Sequence, residues 1–149
     1  MAVCKFNRIF SAMENFELEA GKFTPEIVLD AETGDFLFRG ECFPSSRRNF
    51  FVPIYDWIKA YLYECFPKKI HINFELTFLD TASTQSFLRI LQLLDDYKYG
   101  QEEEIKIQID WKYEEDDLDM LGVGEDYQED VKLEIELIPI PPRDLSDFP

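Results

Sequence analysis

Apolar and polar residues alternate along "KIHINFELTF", where Ile70, Ile72, Phe74, Leu76 and Phe78 are separated by His71, Asn73, Glu75 and Thr77. A period of two predicts a strand with one apolar face. The same alternation returns in "EIKIQIDWKY" through Ile105, Ile107, Ile109, Trp111 and Tyr113, and in "VKLEIELIPI" through Leu133, Ile135 and Leu137. Elsewhere the period lengthens. Phe50, Phe51, Ile54, Ile58, Tyr61, Leu62 and Cys65 recur at spacings of three and four, which predicts an amphipathic helix. Pro53 belongs in its first turn or kinks it, and Pro67 lies beyond its end. A second helix, spanning roughly 82–98, buries Phe87, Ile90, Leu91 and Leu94 and stops at Gly100.

Upstream, "EIVLDAETGDFLFRG" reads as two short strands around a Glu-Thr-Gly-Asp turn, because Gly34 tolerates the positive φ of a tight hairpin. "CFPSSRRN" then forms a loop in which Ser45 and Ser46 can cap the following helix. Between the last two strands, "EEDDLDMLGVGEDYQED" is a solvated helix or loop, with Leu118, Met120 and Leu121 touching the body. Hairpin, helix, strand, helix, strand, strand is the pattern of a single α/β domain over residues 1–149. The expected architecture is a two-layer sandwich, an N-terminal hairpin joined to a mixed sheet covered by two main helices. Residues 1–12 read as a disordered N-terminal extension, and 141–149, "PPRDLSDFP", as a loose tail.

Charge narrows the partners. With 15 Lys and Arg against 31 Asp and Glu, the formal net charge is −16. Nucleic-acid affinity comes largely from phosphate neutralisation, and the longest basic runs are Arg47-Arg48 and Lys68-Lys69. Nucleic acid and anionic membranes are excluded on that ground. The 14 Phe and 46% hydrophobic content mark a folded globule. No apolar run reaches the roughly 20 residues of a membrane span, and "MAVCKFNRIFSA" lacks the apolar core of a signal peptide, so a cytoplasmic location is expected. Cys4, Cys42 and Cys65 are an odd number without a C-x-x-C pair, which fits reduced thiols.

No set of residues declares catalysis. The acidic segment lacks the spacing of a Ca²⁺ loop, the single His71 sits beside no nucleophile motif, and "GVGED" has neither the glycines nor the lysine of a phosphate loop. No cofactor or metal is expected. A metal-dependent enzyme using the acidic segment, Asp116, Asp117, Asp119, Glu125, Asp126, Glu129 and Asp130, is the weakest of the readings.

One junction carries more oxygens than structure requires. In "LDTAST", Asp80, Thr81, Ser83 and Thr84 crowd the start of the second helix, where one capping side chain suffices. A phosphate at a helix N-terminus meets unpaired N–H groups and the positive end of the dipole, so a phosphorylation site here is compatible with the fold.

The segments "FTPEIVLDAETGDFLFRGECFP", "FFVPIYDWIKAYL", "FELTFLDTAST" and "DWKYEEDDLDMLGVGEDYQED" together resemble the SiaC-type regulatory phosphoproteins over roughly residues 23–130. This bacterial family is related in architecture to STAS domains and anti-sigma-factor antagonists. The resemblance implies a non-enzymatic protein with several partners. A Ser/Thr kinase of the histidine-kinase-like fold phosphorylates it, a PP2C-type phosphatase reverses this, and the unmodified form activates a GGDEF diguanylate cyclase in cyclic-di-GMP and biofilm control. The family's Asn-Thr-Ser-Ser corresponds to Asp80, Thr81, Ala82 and Ser83 here, which makes Thr81 the acceptor. Asp80, Ala82, Ser83 and Thr84 then form the flanking switch surface. The competing expectation is a constitutive adaptor whose Thr81 only caps a helix.

Overall fold

The computed structural model describes residues 13–142. Strands β1 (Phe16–Leu18), β2 (Glu26–Leu29) and β3 (Asp35–Cys42) pair antiparallel in sequence order. The hairpin turn between β2 and β3 uses Gly34 at φ 76°. Its amide donates to the Asp30 carbonyl, and a Cβ there would stand 2.5 Å from the Lys69 carbonyl oxygen. Helix α1 (Arg47–Ala60) leads to β4 (Lys69–Leu79), α2 (Thr81–Gly100) to β5 (Lys106–Glu114), and α3 (Leu118–Asp130) to β6 (Ile135–Ile140). Strands β3 to β6 are parallel neighbours, so the sheet order is β1-β2-β3-β4-β5-β6.

Each helix carries the chain one strand further in the same direction. With the right-handed sense of parallel crossovers, that puts all three helices on one face of the sheet. Burial agrees: Ile70, Ile72, Phe74 and Leu76 are buried and the residues between them only half-buried. The expected hairpin, mixed sheet and two covering helices are present. The acidic segment forms the third helix, and β1 extends the hairpin to three strands. The tail at 143–149 and the extension at 1–12 lie outside the described residues.

At the centre is a cluster of rings. Phe38 and Phe74 stack across β3 and β4 at 5.1 Å, and Phe87 of α2 stands edge-on to Phe38, Phe51 and Phe74 at 5.1 to 5.7 Å. Edge-to-face pairs set each ring's positive rim against its neighbour's negative face. Trp111 of β5 extends the cluster to α3, packing against Tyr127 at 5.4 Å and donating from Nε1 to the Met120 carbonyl at 2.8 Å. Gly124 allows that approach, since a Cβ there would lie 2.6 Å from Trp111.

Some expectations are corrected. Leu118 does not touch the body: it is 72% exposed, while Met120, Gly124 and Tyr127 form the buried stripe of α3. Two residues from Met120, it points about 200° away round the helix. Pro53 stands in the interior of α1, because Ser46 accepts from the Asn49 amide and starts the helix before the first apolar residue. Lacking an N–H, Pro53 leaves the carbonyl of exposed Asn49 without its helical donor. α1 runs on into a π-helical turn, Tyr61–Cys65, and is stopped by Phe66 at φ 49°. Cys42 is a buried free thiol, whereas Cys65 is disulfide-bonded, so reduced thiols hold at one and not at the other. An odd cysteine count leaves room for one bridge that spacing does not reveal.

The other face of the sheet satisfies itself with ion pairs. Arg39 bridges Glu26 and Glu75, and Lys112 lies 3.5 Å from Glu75. His71, read from sequence as an exposed or edge residue, is half-buried and donates from Nε2 to Asp110 Oδ2 at 2.7 Å. Gln108 donates to the other oxygen at 3.1 Å. Burial alone would raise the Asp110 pKa, but the bonds from His71 and Gln108, with the charges of His71 and Lys112, outweigh it and hold it below the ordinary value of 3.8. An acid depressed on folding stabilises the native state above its unfolded pKa, and that contribution is lost as pH falls through the lower folded value. The stability advantage of wild type over Asp110→Asn should therefore be full at pH 6 and shrink below pH ~3.8. Urea unfolding of both proteins across that range measures it; an unchanged gap would show that the bridge does not couple to folding.

Candidate functional site

The "LDTAST" junction lies at the carboxyl edge of the parallel strands, where α2 begins. Just before it the β3–β4 register slips: Gly40 pairs with Leu76, but Glu41 pairs with Phe78 and Cys42 with Leu79. One step on β3 is matched by two on β4, a bulge that inserts a residue and reverses the alternation beyond it. Phe78, expected on the core face, is consequently 49% exposed. Its ring meets Phe43 edge-on at 5.3 Å, and Phe43 packs on Phe23 at 4.8 Å. Phe23 is itself 40% exposed. An aromatic platform thus stands beside the helix start.

Each oxygen at the junction except one has a structural duty. Asp80 is the cap, its Oδ1 accepting from the Ser83 amide at 2.7 Å, and its own amide donates to the Cys42 carbonyl at 3.3 Å. Thr84 donates its hydroxyl back to the Asp80 carbonyl at 3.0 Å, and Ser86 does the same to the Ala82 carbonyl at 3.0 Å. Such bonds four residues back absorb a hydroxyl within the helix. Ser83 is fully buried, its Oγ accepting from the Cys42 thiol at 3.5 Å. Burial pushes that thiol up to about 11 despite the Ser83 contact, which leaves it protonated and inert at neutral pH. Thr81 is different. It is exposed, and its hydroxyl makes no hydrogen bond among the described residues.

The five predicted site residues are therefore adjacent but unequal. Thr81 is exposed, Asp80, Ala82 and Thr84 are half-buried, and Ser83 belongs to the core rather than to a switch surface. Sequence reasoning missed the platform, since Phe23 and Phe43 follow no period. It also missed Tyr127, whose hydroxyl donates to the Thr84 carbonyl at 2.7 Å and fastens α3 to the first turn of α2. Burial raises the Tyr127 pKa well above the ordinary tyrosine value, so the bond keeps its proton. Among the described residues no group of acids, histidines and cysteines could hold a metal ion, and no helix is long and apolar enough to cross a membrane.

Fold and junction together define a small α/β domain with one hydroxyl, that of Thr81, left uncommitted at a helix start among the described residues. Residues 18–140 match the model of the SiaC family regulatory phosphoproteins. The chain belongs to that family. An uncharacterized protein of Pseudomonas aeruginosa strain UCBPP-PA14 is 22% identical over 118 residues, 79% of this chain and 90% of the relative. The crystal structure of apo-SiaC from Pseudomonas aeruginosa superposes with a TM-score of 0.75 at 21% identity, covering 85% of this chain and 99% of SiaC. The crystal structure of the diguanylate cyclase SiaD with its activator SiaC, from the same organism, matches with a TM-score of 0.77 at 20% identity over 84% of this chain and 99% of the other. These likenesses establish the mixed α/β fold.

Proposed function

We propose that this protein is a partner-switching regulator whose state is written at Thr81. A Ser/Thr kinase of the histidine-kinase-like fold transfers a phosphoryl group to the Thr81 hydroxyl, a PP2C-type phosphatase removes it, and the unmodified form binds and activates a GGDEF diguanylate cyclase in the cytoplasm. The observation that carries the reading is that Thr81 alone, among the hydroxyls of its junction, is exposed and unbonded. The complex of SiaC with the cyclase it activates supports the choice of effector. The adaptor alternative needs Thr81 as a cap, and Asp80 fills that position.

The test is intact-mass and peptide analysis of protein taken from its native cell. One added phosphate is expected on the peptide containing Thr81, and none on Thr81→Ala. Because Asp80 provides the cap, Thr81→Ala should change stability by no more than about 0.5 kcal/mol, as at ordinary surface positions. A phosphate found on another residue, or a Thr81→Ala variant that unfolds, would overturn the assignment.

A further inference from the structure

A second feature lies between α1 and α2, and its lining on α2 begins at Ser86, five residues beyond Thr81. A groove of about 580 Å³ runs along the two helices, floored by Phe51, Tyr55, Ile90 and Leu93 and lined by exposed Val52. On α1 its lining extends from Arg47 to Asp56, about 14 Å of helix at 1.5 Å per residue. Its charges are graded. Arg47, Arg48 and Arg89 line it together, and Asp56 and Asp96 lie further along the same two helices toward their C-termini. None of the five forms an ion pair among the described residues.

That arrangement is unexpected on stability grounds. In a chain of net charge −16, carboxylates are abundant, yet three arginines line this groove without an ion pair among the described residues. Arg47 and Arg48 occupy the first turn of α1, which holds no acidic residue, and cations there oppose the helix dipole. Neither helix stability nor an internal partner accounts for them. An apolar floor about three turns long, basic at one end and acidic at the other, matches the mode in which an amphipathic helix lies in a groove.

We infer that the α1–α2 groove is a docking site for an amphipathic helix of a protein partner, its apolar stripe on Phe51, Val52 and Leu93 and its acidic end against Arg47, Arg48 and Arg89. The gradient fixes polarity as well as affinity, since reversing the helix would set like charges together.

The test uses two synthetic lactam-stapled helical peptides of four turns with the same leucine stripe. One carries glutamates at one end and lysines at the other; in its twin the two are exchanged around an unchanged stripe, so that only polarity relative to the backbone differs. A third peptide carries lysines at both ends. Binding is read by fluorescence anisotropy and by NMR shifts of Val52 and Leu93 methyls, on wild type and on an Arg48→Glu/Arg89→Glu variant checked for unchanged circular dichroism. One of the two graded peptides should bind wild type at least tenfold tighter than the other and than the lysine peptide. The charge-reversal variant should lose that preference and gain affinity for the lysine peptide. Equal binding of all three peptides would reduce the groove to non-selective apolar contact and overturn the inference. So would an absence of methyl shifts, or inorganic phosphate alone displacing the preferred peptide at low millimolar concentration, which would mark a small-anion site. All variants leave residues 78–84 intact, so failure here does not touch the Thr81 switch.

Discussion

Replacing Phe87 by alanine is expected to destabilise the protein by ~3–5 kcal/mol, a large share of the ~5–15 kcal/mol that holds a domain folded. The ring is fully buried and meets Phe38, Phe51 and Phe74 at once, from β3, α1 and β4. Truncation removes its apolar transfer energy and leaves a cavity whose walls, being rings held by two strands and a helix, collapse poorly. Thermal and urea unfolding of wild type, Phe87→Leu and Phe87→Ala measure the effect. Phe87→Leu should lose much less, because most of the volume remains. A loss below about 1 kcal/mol for Phe87→Ala would mean that the cluster repacks around the gap. Since α2 begins at Thr81, the alanine variant should also loosen the first turn of the helix before the whole domain melts.

Phosphorylation of Thr81 is expected to weaken binding of the effector at least tenfold, about 1.4 kcal/mol. The phosphate adds about −1.5 to −2 charges beside Asp80 and close to the platform of Phe23, Phe43 and Phe78. A partner that covers the rings must desolvate that charge, and a buried charge without a cation is expensive. The free protein bears the modification easily. Helical geometry leaves the Thr81 and Ala82 amides without intrahelical acceptors, and they can donate to phosphate oxygens. Calorimetry with a candidate cyclase should find tight binding for unmodified protein and for Thr81→Ala, and weak binding for the phosphorylated form. Circular dichroism should be the same for all three. Binding that survives phosphorylation, or that requires it, would reverse the switch.

The sheet and the first two helices were readable from period alone. Ile70 to Leu76 and Phe87 to Leu94 repeat at spacings that only one secondary structure can bury, and they are buried as expected. What escaped depended on contacts between segments distant in sequence. Phe78 belonged to an unbroken alternation, and only its pairing with Glu41 shows the inserted residue that turns it outward. Leu118 carried the same apolar signal as Met120 but fell on the wrong side of a helix whose phase is set by Gly124 and Trp111. At the junction the sequence offered a crowd of equivalent oxygens. Three-dimensional bookkeeping separated them, because the partners of Ser83 and Thr84 include Cys42 and Tyr127, each about 40 residues away.

The bulge at the end of β4 acts as a phase shifter placed between a rigid sheet and the residue that faces partners. Chain length, not chemistry, sets where the following helix starts its rotation, and one residue of α-helix is worth about 100°. Gain of a single residue between Gly40 and Glu41 would give Thr77 a partner, restore the alternation, turn Phe78 inward and dismantle the ring platform, while every side chain from Asp80 to Thr84 kept its identity. Relatives that differ by one residue at this point would therefore present the same acceptor motif in a different direction. A change of partner can thus arise from a three-nucleotide insertion with no substitution at all.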